Sequence, residues 1–504
     1  MPAPTTDVAF SLPGPEYERI SWVHDEHLHG SETPLIQDMG LTAGGVARDG
    51  LPRSIFVNGY SYGRAGFDLS ALAGAPIAEN GIGTWRERWQ PEIESASAAI
   101  EGFDPGAVAK GEWSSTLDRQ AAEFREIFMR LHMETMVIVL PAAHVFLQRW
   151  TALAGAAREA DGLAFLQGFA NESRHRVAEL WALSRLGRED PLVEAAIRQG
   201  TVPGGATATA TQFGERFAAF IGRFGHTTTM HLQDLPTWAE DRSRPLTMVA
   251  AYLDQPDEAD PEAGLAAQVA RREALEGELS TLAASSEEAR ELVRILGVAR
   301  NLPAVSEDHN VIGDHRLLAA SRQRWLRIGA HLVGRGQLAA AADVFYLRRA
   351  ELLELLEGPD ARIDAALIRE RRDLQALWRT AVPPGYLGAR PSAEADGSQT
   401  VTGHAASSGV YRGQARVLSS LDAAESLEAG DILVVSATGP EWTGYFGLIG
   451  GLVTDVGGPL THAGVMAREL GIPAVTGTGN GTTLIPDGAT IVVDGSAGTV
   501  TVEA

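Results

Sequence analysis

The stretch Gly457-Gly458-Pro459-Leu460-Thr461-His462-Ala463-Gly464-Val465-Met466-Ala467-Arg468 places a histidine where a Gly-rich turn meets the start of a predicted helix. Gly457 and Gly458 permit a sharp turn without a Cβ penalty. The unpaired N–H groups of the following helix offer positive potential beside the imidazole. The helix is predicted over Ala463 to Leu470, with Gly471 just past its end and Pro473 blocking continuation. In such a setting one ring nitrogen can attack phosphorus while the other donates the hydrogen bond that fixes the tautomer. The motif therefore suits a phosphoryl carrier, with His462 as the carrying residue. The bland alternative is a core histidine beside a structural Gly turn.

Outward from this motif, the C-terminal region alternates short apolar runs with Gly-rich turns. Strands are expected over Ile432 to Ser436, Gly451 to Thr454, Ala474 to Thr476 and Thr490 to Val493. Upstream, residues 386–400 have the Ser, Ala, Gly, Glu and Asp composition of a flexible linker. From Glu112 to Leu377 the pattern is helical, as in Asp260 to Val298, Leu317 to Gly334 and Leu338 to Leu356. The expected organisation is a mixed region over 1–110, a helical domain over 111–385, the linker, and an α/β module over 401–504.

The 504 residues carry a formal net charge of −23, which argues against nucleic acid or an anionic membrane as partner. There is no cysteine, hence no disulfide, thiol chemistry or Cys-ligated zinc. Lys110 is the only lysine and does not follow a phosphate-binding Gly-rich loop, so cationic roles fall to arginine. No apolar run approaches the ~18 residues of a membrane span, and no secretory signal is visible. A soluble cytoplasmic protein is expected. His24, His27 and His29 lack zinc-site spacing and read as a polar turn, and no metal site is expected.

The C-terminal region resembles the phosphohistidine swivelling domain of phosphoenolpyruvate synthase, pyruvate phosphate dikinase, rifampin phosphotransferase and phenylphosphate synthase. The resemblance runs from Gly409-Val410-Tyr411-Arg412-Gly413 to Asp494-Gly495-Ser496-Ala497-Gly498. The commonest family form has a Thr two residues before the His. Here Leu460 stands there and Thr461 directly precedes His462, as in the rifampin phosphotransferase and phenylphosphate synthase branch. Shorter stretches, among them Asn58-Gly59-Tyr60, Gly168 to Ser173, Phe224-Gly225-His226 and Glu307-Asp308-His309, are similar to that branch's acceptor-binding region. The implied fold is multidomain: a mainly α-helical central substrate domain followed by a C-terminal α/β swivelling phosphohistidine domain.

By this resemblance His462 is transiently phosphorylated, with Thr461 and Arg468 of the same motif in the catalytic set. Glu307, Asp308 or His309 would take the proton from an acceptor hydroxyl. Arg322, His226, Asn58 and Asp314 would contact the substrate, Arg322 by holding phosphoryl oxygens. The alternative for the Glu307 cluster is helix capping and surface salt bridging by a charged helix start. Neither an ATP-grasp module nor a phosphoenolpyruvate-binding barrel is recognisable. ATP and Mg²⁺ are therefore expected mainly on a separate ATP-grasp subunit, as in split phenylphosphate synthases. The acceptor is expected to be a phenolic or other aromatic hydroxyl compound. The alternatives are a rifampin-like antibiotic acceptor, a regulatory phosphocarrier, and a lyase on the same fold.

Overall fold

The computed structural model describes residues 8–24, 31–39, 52, 54–64, 81–229, 231–381, 383–384, 386–388, 400–419 and 421–503. Asp25, His27 and His29 lie outside them. Near the N-terminus, β1 (Ser21–His24), β2 (Ser54–Val57), β3 (Tyr60–Arg64) and β4 (Tyr386–Gly388) form an antiparallel sheet in the order β2-β3-β1-β4. Asn58 (φ 51°) and Gly59 (φ 78°) both take the left-handed conformation that a two-residue hairpin demands. Tyr386–Gly388, which composition assigns to the linker, are thus a strand, with Val23 opposite Tyr386.

Helices fill the region from Gly81 to Trp378. The longest, Trp113–Ala154, carries Pro141 within it. Its Phe146 and Trp150 share one apolar core with Leu35, Ile36, Trp85 and Trp89, so the N-terminal segment packs as part of the helical body. Two segments read as single helices are each broken by a cap. In Asp260 to Val298, the Ser286 hydroxyl accepts from Ala289 N at 3.2 Å and starts a second helix, Glu287–Ala299. In Leu338 to Leu356, Glu351 accepts from Arg348 N at 2.7 Å and starts Arg349–Glu357 after a short 3₁₀ turn. No described helix is long and apolar enough to cross a membrane.

The C-terminal module is an eight-stranded sheet built from β5 (Thr400–Thr402), β6 (His404–Ser407), β7 (Val410–Val417), β8 (Ile432–Val435), β9 (Gly451–Thr454), β10 (Ala474–Thr476), β11 (Thr490–Asp494) and β12 (Thr499–Val502). The order is β5-β12-β11-β7-β8-β9-β10-β6, with β7 to β10 parallel and the flanking pairs antiparallel. Alternation along β8 sends Ile432 and Val434 to one face and Leu433 and Val435 to the other. The second face packs on Ala463, Met466 and Ala467 of the histidine helix. The same core continues into Leu180, Trp181, Met248 and Tyr252 of the helical region. One apolar core therefore crosses between the two domains and seats the module against the helices.

Candidate functional site

The histidine helix spans His462–Leu470, one residue earlier than the sequence predicts, and Gly471 ends it in the left-handed conformation (φ 70°). Gly457 takes φ 108°, as its place in the turn requires. Gly464 is equally constrained: a Cβ there would lie 2.8 Å from the Pro459 carbonyl oxygen. Thr461 closes the turn by donating its hydroxyl to Gly458 O at 2.8 Å. Arg468 is buried and donates to Ala406 O at 2.7 Å and to Pro459 O, pinning the turn to β6. Burial lowers its guanidinium to about 10, against the opposing pull of Glu469 and Glu307. Thr461 and Arg468 thus shape the loop that presents His462.

The imidazole does not face solvent. Its Nδ1 lies 2.8 Å from Oε2 of fully buried Glu307, an ion-pair distance without the alignment of a full hydrogen bond. Its Nε2 lies 3.3 Å from the Thr443 hydroxyl, and the Phe446 ring is tilted against it at 6.2 Å. A carboxylate only accepts, so this geometry suits the tautomer with the proton on Nδ1 and the Nε2 lone pair toward the Thr443 hydroxyl. Ser173 fixes the same carboxylate by donating to Oε2 at 2.8 Å, while Oε1 has no hydrogen-bond partner.

Glu307 is held by the short helix Leu302–Asp308, which runs through a π-helical turn, His309–Asp314, into His315–Gly334. The cluster therefore lies near the start of a helical run that continues to Gly334 through that turn. Such a wide turn rotates side chains out of α-helical register and is frequent at functional sites. Asp308 accepts from Glu172 N at 2.8 Å, and burial pushes its carboxyl up to about 7 despite that bond. His309 Nδ1 lies 3.1 Å from Val305 O, and its Nε2 is 4.0 Å from Asp314 Oδ2.

The remaining expected substrate contacts are engaged elsewhere. Arg322 binds Glu240 through Nε at 2.8 Å and Nη2 at 3.0 Å, and Gln233 O through Nη1 at 3.0 Å. Its guanidinium is therefore engaged by that carboxylate and that carbonyl. His226 bonds Val311 O at 2.6 Å, and burial lowers its imidazole to about 4, keeping it neutral. Thr227, Thr228 and Thr229, which follow it, are buried. Asn58 donates to Ala9 O at 2.9 Å from its hairpin turn in the small sheet.

Several residues at the site escape sequence reasoning. Ser173 and Arg176 lie in a stretch that reads as a plain helix start, and Asn171 does cap that helix by accepting from Arg174 N at 2.8 Å. Thr443 and Glu441 follow a Gly439-Pro440 turn with no periodic signal. His315 is fully buried and stacked on His231 at 4.8 Å. Burial and nearby His231 hold its imidazole well below the usual range. At the far end of the histidine helix, Arg174 bonds Glu469 Oε2 at 3.1 Å and Glu262 at 2.7 Å. Gln268 donates to Arg468 O at 2.9 Å. These contacts fasten the α/β module to the helical region at a second point besides Glu307.

Residues 427–498 match the family model described as the PEP-utilising enzyme mobile domain, and residues 131–307 match the rifampicin phosphotransferase fourth domain. Both matches are to domains of phosphotransfer enzymes, and the second ends on Glu307. The chain is 32% identical to rifampicin phosphotransferase of Bacillus subtilis over 55% of its own length and 33% of the relative's. It is 29% identical to chondramide synthase cmdD of Chondromyces crocatus, over 97% of the chain and 14% of the relative. It is 42% identical to the prodigiosin synthesizing transferase PigC of Serratia marcescens, over 22% of the chain and 13% of the relative. The chain spans a third or less of the length of these three relatives.

Proposed function

We propose that this chain is a phosphotransferase that carries a phosphoryl group on Nε2 of His462 and delivers it to a hydroxyl acceptor held by the helical domain. The observation that carries the reading is the contact of His462 with Glu307, which joins the mobile domain to the acceptor-type domain. A docked carrier of this kind corresponds to the delivery half of the cycle.

In delivery the acceptor oxygen attacks phosphorus, the P–N bond breaks, and its electron pair returns to Nε2. Nδ1 keeps its proton throughout, held toward Glu307, so neutral imidazole leaves in place of the much poorer imidazolate. The hydroxyl proton passes to a carboxylate. Asp308 suits this role because its proton affinity lies near neutrality and it is partly exposed, so it can return the proton to solvent. The N–H groups at the helix N-terminus stabilise charge on the phosphoryl oxygens.

The phosphoryl comes from ATP with Mg²⁺ on an ATP-grasp subunit. The sum is ATP, acceptor and water giving phosphate ester, AMP and inorganic phosphate. Charging and delivery then alternate by swivelling of the 401–504 module about the segment before it. For the acceptor, Phe446 beside His462 suits a phenolic or other aromatic ring. A rifampicin-like antibiotic is the second reading, favoured by the domain match over 131–307.

The test is an incubation of the chain with an ATP-grasp protein, Mg²⁺ and β-labelled ATP. Label on His462 that moves to a phenol or to rifampicin on addition supports the reading and selects the acceptor class. Label that never leaves His462 for any hydroxyl compound supports a regulatory phosphocarrier instead.

A further inference from the structure

Arg176 is fully buried on the helix Glu172–Arg188, three residues after Ser173 and four before Leu180, so the three share one helix face. Ser173 bonds the carboxylate that meets His462. Leu180 packs against Gly444, the neighbour of Thr443, where an added Cβ would lie 3.3 Å from Cδ1. Arg176 is therefore bracketed by the two segments that contact the imidazole from either side. Its guanidinium lies over the rings of Phe224 at 5.5 Å and Trp238 at 5.3 Å, and it interacts electrostatically with Glu307, Glu441 and Glu172.

Glu441, two residues before Thr443, is fully buried, and neither of its carboxyl oxygens has a hydrogen-bond partner. A buried carboxylate without hydrogen bonds is costly and persists where a nearby cation offsets it. A phosphoryl group on Nε2 adds up to two negative charges beside Thr443, next to Glu307 and Glu441. A guanidinium is the group best shaped to bind those oxygens in pairs.

We propose that Arg176 binds the phosphoryl oxygens on His462 in the docked state, and that Glu441 is its resting counter-ion, which the phosphoryl displaces. Docking of the phosphorylated carrier is thereby favoured over docking of the same carrier without its phosphoryl group. The inference rests on the reading of His462 as phosphoryl carrier.

The full chain is phosphorylated with phosphoramidate: the Nε2 lone pair attacks phosphorus, the reagent's P–N bond breaks, and ammonia leaves. The ³¹P resonance of the product is then titrated with pH. An opposite charge within ~4–6 Å lowers a phosphoryl pKa by about 1–3 units, so Arg176→Gln raises the titration midpoint by about one unit or more. Arg176→Lys raises it less. Glu441→Gln lowers it, because a like charge is removed and Arg176 is released to the phosphoryl. A purely structural role for either residue moves the midpoint in neither direction. If His462 takes no phosphate, the carrier reading itself fails. If His462 is phosphorylated and the midpoint in Glu441→Gln and in folded Arg176 variants equals that of the parent chain, the carrier reading stands and this inference is overturned.

Discussion

Nδ1 of His462 and Oε2 of Glu307 meet at 2.8 Å across the boundary between the α/β module and the helical domain. The contact gives Glu307 a role different from the one its position in an acidic cluster suggests. On the proposed reading it holds the proton on the ring nitrogen opposite the one that takes the phosphoryl group.

Glu307→Gln keeps the shape of the side chain and removes its charge. Phosphorylation of His462 is expected to persist, while delivery slows on the order of 10²-fold, the scale typical of losing one preorganised electrostatic partner. Rapid-quench measurement of phosphohistidine decay on mixing with acceptor separates the half-reactions. Equal slowing of charging and delivery would contradict the assignment.

Asp308 sets the pH dependence of delivery. Burial raises its carboxyl from 3.8 to about 7, and a base acts in its deprotonated form. The delivery rate is therefore expected to climb as pH rises through about 7 and to level off above it. Asp308→Asn should abolish that rise and lower the plateau ~10²–10⁴-fold. A single-turnover pH profile that is flat in the parent chain from pH 5.5 to 8.5 would remove Asp308 from the mechanism.

Docking depends on the buried pair of Arg174 and Glu469, whose side chains are 4% and 1% exposed. Glu469→Ala leaves Arg174 with the Glu262 carboxylate and the backbone carbonyl of residue 469, and strips Gly168 N of its acceptor. Breaking one partner of such a buried pair typically costs about 3–5 kcal/mol. The expected result is an increased radius of gyration in solution scattering, with the sheet's circular dichroism unchanged.

The histidine helix was legible because its signals are local: two glycines before it, Gly471 after it, and Pro473 beyond. The parallel strands were legible for the same reason, each being a short apolar run between turns. Glu307 was visible as part of a charged triplet, but its partner is remote in sequence and no local pattern reports a contact between domains. Arg322 shows the converse. Its charge is evident in the sequence, yet only the fold reveals that Glu240 already occupies it. Arg176 and Glu441 left no trace at all, since an arginine buried between aromatic rings looks like any other helical arginine.

Gly464→Ala tests the turn. The added Cβ would press on the carbonyl oxygens of Gly458 and Pro459, at 2.9 and 2.8 Å, and backbone must shift to admit it. A loss of about 1–3 kcal/mol in stability is expected, as for other overpacked sites. Chemical phosphorylation of His462 should slow with it. An alanine variant with unchanged thermal midpoint and labelling rate would show that the turn tolerates movement.

The central claim is that Nε2 of His462 carries the phosphoryl group. The most direct measurement is site mapping of the phosphorylated chain under alkaline conditions, combined with ¹⁵N and ³¹P resonance to identify the bonded nitrogen. The account predicts one acid-labile phosphate, on Nε2 of His462, absent from His462→Ala. Phosphate on another of the thirteen histidines, on Nδ1 of His462, or persisting in His462→Ala would contradict it.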